Sequence, residues 1–171
     1  MHIRTLTAAD AEIYRELRLL SLRKSPEAFL SSYESESKLS IVTTRIRLEP
    51  SDDRFTLGAF DDKEKLVGMV TFFRENRPKI NHKAHVYSVY VHPDARKQGL
   101  GRLLMLELIS RAKVMPGLEI LTLTLTSTNL PAKKLYESLG FICYGTEPKA
   151  MKLGEAYLDE DLMTLPLSPE L

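Results

Sequence analysis

The chain has one cysteine, almost no net charge and no long apolar run, and each shortage excludes a class of protein. Cys143 alone cannot build an internal disulfide framework, and a single thiol fits a reducing compartment, so the cytoplasm is the expected location. Within a strand-like stretch it is expected as a small buried hydrophobe; a nucleophile would need a neighbouring base, and none is identifiable. The 24 basic and 23 acidic residues leave a net charge of +1. Nucleic-acid partners usually demand a strong basic excess, so none is expected. No run is long enough to span a bilayer, and the start MHIRTLTAAD lacks the apolar centre of a signal peptide, so no membrane partner is expected either. Four scattered histidines show no metal-ligand spacing, and no metal is expected. With 171 residues and no repeat, linker or low-complexity tract, the sequence reads as one domain over 1–171, long enough to bury a core.

What is present is a succession of short strands and helices. His2 to Leu6 reads as a strand, and Thr7 with Asp10 makes a capping-box start. Ile13, Leu17 and Leu20 then recur at helical spacing to about Lys24, where Ser25-Pro26 stops the helix. The segment PEAFLSSYESES is polar without a clear period and reads as a loop. Leu39, Val42 and Ile46 mark a second helix ending at Glu49-Pro50. Phe55 to Phe60 and Leu66 to Phe73 predict a hairpin with a longer loop at Asp61 to Glu64, and Arg74 to Lys83 reads as a loop. Glu119 to Thr126 alternates leucine with threonine, a strand with one apolar face whose threonines face either water or a cleft. Asn129 is an N-cap with Pro131 in the permissive first turn of a helix that stops at Gly140. Phe141 to Gly145 begins a strand, a loop passes Pro148 and Gly154, and about Tyr157 to Leu165 forms the last strand. Pro166 and Pro169 predict a frayed end.

Tyr87 to Ile109 organises the rest. Tyr87, Val89, Tyr90 and Val91 form a short apolar strand, which His92, Pro93 and Asp94 break. Gly99 and Gly101 follow, and then Leu103, Leu104, Leu106, Leu108 and Ile109 make an apolar helix. The first amides of a helix lack partners and carry the positive end of its dipole, and glycine lets an anion approach them. Arg96, Lys97 and Arg102 add formal charge. The order of strand, basic glycine loop and helix therefore points to a phosphate cradle. It is not a P-loop, because no G-x-x-x-x-G-K-[ST] string occurs. Nor does it fit a dinucleotide fingerprint: Leu104 stands at the third glycine, and the acidic partner about 20 residues on would be Glu119, before a strand rather than at its end.

Arg96-Lys97-Gln98-Gly99-Leu100-Gly101, after Val89-Tyr90-Val91-His92-Pro93, resembles the Q/R-x-x-G-x-G/A motif of the GCN5-related N-acetyltransferase (GNAT) family. Asn129 through Gly140-Phe141, N-x-x-A-x-x-x-Y-x-x-x-G-F, resembles that family's second motif at its expected distance. Asn129, Ala132 and Tyr136 share one helix face, and the small residue between them leaves a groove; on composition alone Tyr136 reads as core. The resemblance implies an α/β fold with a mixed sheet of about seven strands, about four helices and central strands splayed to hold acetyl-CoA. It implies that the amides between Arg96 and Arg102 hold the diphosphate and that Val89, Tyr90 and Val91 bond the pantetheine arm and the thioester oxygen. It also implies that Asn129 contacts the cofactor and that Tyr136 protonates the departing thiolate.

The implied reaction moves acetyl to a primary amine of a small molecule, peptide or protein. That amine must first lose its proton, at a pKa near ~10.4 for a lysine-like group. Histone-acetylating members carry a glutamate where His85 stands here, so His85 is a tentative base; an ordinary strand residue, Glu34, Glu75 or a water chain are the alternatives. Tyr33, Glu34 and Glu36 read as a solvated loop, or, because the family covers its acceptor site with this segment, as a cradle for a cationic amine. Homodimers are frequent in the family. An inactive acyl-CoA sensor of the same fold is the competing expectation.

Overall fold

The leucine–threonine alternation after Glu119 becomes an interior strand of a seven-stranded sheet. Its strands are β1 (His2–Thr5), β2 (Arg54–Phe60), β3 (Leu66–Arg74), β4 (Lys83–Val91), β5 (Ile120–Thr126), β6 (Ile142–Leu153) and β7 (Ala156–Pro166), in a computed structural model that describes residues 1–167. The spatial order is β1-β2-β3-β4-β5-β7-β6. All neighbours run antiparallel except β4 and β5, whose parallel pairing requires a crossover. That crossover is helix α4 (Leu100–Lys113).

Helices cover both faces. Leu104, Met105, Leu108 and Ala112 of α4, all 0 % exposed, pack with α5 (Leu130–Ser138) on one face against Leu57, Val70, Phe72 and Leu121. On the other, Leu17 of α1 (Ala11–Lys24) and Leu48 of α3 (Ile41–Leu48) close over Phe60, Leu66, Met69 and Tyr90. Strands β2 and β3 are therefore buried on both sides and read as unbroken apolar runs. At Gly68 the contact with α4 is tight: a Cβ there would lie 3.0 Å from Leu104 Cδ1.

Four features depart from the sequence reading. The polar segment after Pro26 carries a fifth helix, α2 (Tyr33–Ser37), started by Ser32, whose side chain accepts the Ser35 amide at 3.1 Å. Helix α3 is present but faces otherwise: Val42 and Ile46 are exposed while Thr44 and Leu48 point inward, because α3 packs on α1 and the turn at Ala8–Asp10. Strand β6 runs on through Pro148, which sits at the sheet edge where a missing amide breaks no ladder bond, and the hairpin turns at Gly154 (φ +60°). Cys143 lies on this edge strand and is exposed, not buried. By contrast, the Thr7–Asp10 start is as read, with the Thr7 amide donating to Asp10 Oδ2 at 2.9 Å. The frayed end foreseen around Pro169 lies outside the described residues. Among the described residues, no helix is long and apolar enough to cross a membrane.

The sheet is incomplete at its centre. Strand β4 pairs with β5 only through Lys83, Ala84 and His85, opposite Ile120, Leu121 and Thr122. Beyond that point β4 continues to Val91 and β5 to Thr126 with no pairing between them. A bulge drives β4 away: Tyr87 pairs with Thr71 and Tyr90 with Met69, and Ser88 stands at φ +54°.

Candidate active site

The gap between β4 and β5 opens into a cavity of about 990 Å³. One wall is the end of β4, with Ser88, Val89, Tyr90 and Val91 all lining it. After Val91 the chain turns at Pro93–Ala95, and Lys97 (φ +62°) and Gly99 (φ +76°) both take left-handed backbone. A Cβ on Gly99 would meet nothing within 4 Å, so glycine is there for its backbone conformation. At the turn, Leu103 N–H donates to the Gly99 carbonyl at 3.0 Å. The preceding amides of Leu100, Gly101 and Arg102 have no acceptor within the helix, an arrangement that suits an anion. Leu100 contributes only backbone, since its side chain is in the core. Arg96 Nε donates to the Val91 carbonyl at 3.0 Å and its guanidinium covers the Tyr90 ring, while Arg102 ties α4 to α5 through Ser138 Oγ at 2.9 Å. Gly101 and Arg96 line the cavity; Lys97 and Gln98 stand at the exposed turn.

The opposite wall is β5 and α5. Thr124 and Thr126 face the cavity, so the cleft alternative holds for these two threonines. Asn129 Oδ1 accepts the Ala132 amide at 3.3 Å, capping α5 and leaving its amide group free to donate. Asn129, Ala132, Leu135 and Tyr136 line the cavity together. Tyr136 is 6 % exposed, and burial pushes its phenol well above the ordinary value, so it is a neutral donor at physiological pH. Helix α5 is held by a buried charge: Asp161 accepts from Lys133 Nζ at 2.7 Å, Ser127 Oγ at 2.7 Å and Thr146 Oγ1 at 2.9 Å.

His85 is not among the cavity's lining residues. Its Nε2 lies 3.1 Å from Glu75 Oε1 and its Nδ1 2.7 Å from Thr122 Oγ1, so both ring nitrogens are engaged at the point where β4 and β5 still pair. Burial opposes ionisation of Glu75, but its bonds to His85 and Arg77 outweigh that and hold the carboxyl below the usual range. Of Tyr33, Glu34 and Glu36, only Glu36 reaches the cavity. Tyr33 is turned to Arg23, whose Nη2 donates to its hydroxyl at 2.6 Å. The remaining wall comes from residues the sequence reading did not single out: Tyr14 and Arg18 of α1, Phe29, Arg47 of α3 and Arg54 of β2. The available signal was Tyr14 and Arg18 at i and i+4, flanking Leu17 on the buried side of α1.

A glycine loop feeding bare helix amides into a split parallel pair suits a phosphate-bearing ligand with an extended arm, and comparison with known proteins gives the class of protein. Residues 16–141 match the family model described as acetyltransferase (GNAT) family. The L-amino acid N-acyltransferase MnaT of Escherichia coli (strain K12) is 36% identical over 81 residues, 47% of this chain and 46% of that protein. Among solved structures, the GNAT-family acetyltransferase from Streptococcus pneumoniae superposes with a TM-score of 0.85 at 25% identity, covering 96% of this chain and 98% of that one. The yncA structure from Salmonella typhimurium, which contains acetyl-CoA as its cofactor, superposes at 0.82 with 22% identity over 100% and 96% of the two chains. The chain belongs to the GNAT acetyltransferase family. It spans about half the length of the curated relatives it matches.

Proposed function

We propose that the protein is an acetyl-CoA-dependent N-acetyltransferase that acetylates a primary amine of an amino acid, peptide or protein. The observation that carries this is the separation of β4 from β5 after His85, beside the unpartnered amides of α4. Those amides and the Arg96 and Arg102 side chains suit a diphosphate. The unpaired edge of β4 from Ser88 to Val91 suits an amide-bearing arm, which replaces the missing strand's hydrogen bonds.

Bound acetyl-CoA supplies an acetyl thioester, whose C–S bond breaks as a C–N bond forms to the acceptor. An amide of Val89, Tyr90 or Val91 donates to the carbonyl oxygen as it gains charge. Asn129 contributes its free amide group to the cofactor arm. Tyr136 gives its hydroxyl proton to the departing sulfur and is reprotonated by the N–H proton that the acceptor nitrogen sheds as the amide forms; its burial supports the donor role, because the phenol stays protonated. The acceptor nitrogen arrives unprotonated, having released its proton to water. A lone thiol suits a reducing compartment, and we place the enzyme in the cytoplasm.

The test is calorimetric titration with acetyl-CoA, followed by release of free coenzyme A thiol with a panel of amines. Saturable binding and amine-stimulated release are expected. Tyr136→Phe should lower kcat by roughly 100-fold, the lower end for a lost proton donor, with acetyl-CoA affinity within about twofold. Unchanged turnover removes Tyr136 from the mechanism; binding without any amine-stimulated release makes the protein a sensor.

A further inference from the structure

We infer that the acceptor carries a carboxylate beside its amine, as a free amino acid does, and that Arg18 and Arg54 read it. The inference rests on the acetyl-transfer reading of the cavity and names the substrate class.

At the end of the cavity walled by α1, α2, α3 and the start of β2, guanidinium groups outnumber carboxylates. Arg18 is only 9 % exposed, yet its Nη1 is buried with no hydrogen-bond partner. The same holds for Nε of Arg54. Arg18 lies over the Phe29 ring, 4.9 Å from its centroid, which fixes the plane of the guanidinium. The acid within reach, Glu36, is 3.9 Å from Arg18 Nη2 and 3.8 Å from Arg47 Nη1, both beyond hydrogen-bond distance. One carboxylate thus faces three guanidiniums, and Tyr14 stands among Arg18, Glu36 and Arg54 with a phenol that burial raises further from ionisation. Of the cavity's other charged residues, Arg96 serves the glycine loop through the Val91 carbonyl, and Glu27 and Glu160 lie beside Thr126, the first through its backbone carbonyl and the second through strand pairing.

Buried N–H groups of a charged side chain are costly unless an acceptor arrives, and a native fold keeps them where a ligand supplies it. A carboxylate matches the planar fork of arginine with two parallel bonds. A polyamine or a lysine side chain in a protein brings further cationic or neutral groups to this end and leaves those donors unmet. An α-amino acid carries its amine on the same carbon as its carboxylate, so one small molecule presents both groups to the cavity that the arginines and β4 line.

The experiment uses the intact chain with acetyl-CoA and reads thiol release for the twenty L-amino acids, the carboxamide of each one accepted, spermidine, and a short peptide with a free N-terminus. The expected result is turnover of one or more free acids, with kcat/KM for the matching carboxamide lower by roughly 100-fold. In Arg18→Lys and Arg54→Lys, which keep the charge but lose the fork, KM for the acid should rise at least about tenfold with a smaller change in kcat, so that the acid-to-amide ratio collapses. Circular dichroism of both variants checks that they fold, and the wild-type acid-to-amide ratio stands independently of them. Preference for spermidine or the peptide, or equal use of acid and carboxamide, overturns the inference while leaving acetyl transfer intact. Failure to bind acetyl-CoA in the calorimeter removes the acetyl-transfer reading, and this one with it.

Discussion

Removing the Asp161 carboxylate tests how α5 is held at the cavity wall. Asp161 is 3 % exposed and accepts three hydrogen bonds, from Lys133, Ser127 and Thr146. Breaking a buried ion pair from one side typically costs 3–5 kcal/mol, because the partner is left charged and unpaired. Lys133 keeps 29% of its side-chain surface in water, so the lower end applies, about 3 kcal/mol for Asp161→Ala. In a chain of this length each kcal/mol moves the midpoint by roughly 2–4 °C, which gives a fall of roughly 6–12 °C. Thermal unfolding followed by circular dichroism at neutral pH reads it directly. The pH dependence adds a second check. The Lys133 ammonium, with the Ser127 hydroxyl, holds the Asp161 carboxyl below its ordinary value, so the folded state gives up that proton more readily than the unfolded chain. Its contribution is therefore complete above the unfolded value of about 3.9 and drains away as pH falls through the lower folded one. The gap between wild type and Asp161→Ala should narrow below about pH 4. A fall under about 2 °C at neutral pH, or a gap that widens in acid, would refute the reasoning.

Other consequences are simpler to state. Gly99→Ala forces a left-handed alanine and should cost about 1–2 kcal/mol, whereas Gly101→Ala, within helix α4 and 3.4 Å from Leu135 Cδ2, should cost little or nothing in stability; both should weaken acetyl-CoA binding in calorimetry, and equal stability losses would contradict the backbone assignment. Ser88→Val puts a β-branched residue at φ +54° and should lower stability by about 1–2 kcal/mol in chemical denaturation; no loss would mean that the bulge in β4 relaxes freely. For an amino-acid acceptor, kcat/KM should rise about tenfold per pH unit up to the pKa of the free α-amine, which its own carboxylate holds above the value of about 8 for a chain N-terminus, and then level. A plateau that begins near pH 6.5 would instead point to an enzyme base such as His85.

The glycine loop was legible because its constraints are local. Gly99 must be left-handed, Pro93 must end the strand, and the leucines after Gly101 must wind a helix, whatever the rest of the chain does. The capped start at Asn129 and the alternating leucines of β5 belong to the same kind. Burial on an edge strand is different: Cys143 and Ile142 look like core until β6 proves to have a neighbour on one side only. Helix α3 shows the same limit, since Val42 and Ile46 set a helical period without saying which face meets α1. The arginine cluster was least visible. Arg18, Arg47 and Arg54 come from three elements, and each alone reads as an ordinary solvated cation; they converge only when α1 and α3 settle on one face of the sheet. His85 was a matter of position: it is the last residue of β4 that still pairs with β5, one place short of the split, and the cavity lining begins at Val86.

The three residue pairs that join β4 to β5 make the sheet resemble a book bound only at the foot of its spine. The leaves are β1 to β4 on one side and β5, β7 and β6 on the other, and above the binding only α4 and its loop bridge them through the chain itself. A molecule seated in the opening touches both leaves and acts as glue as well as reactant. Its grip would then register as heat resistance: at a hundred times its dissociation constant, a ligand that binds only the folded chain adds about 2.7 kcal/mol.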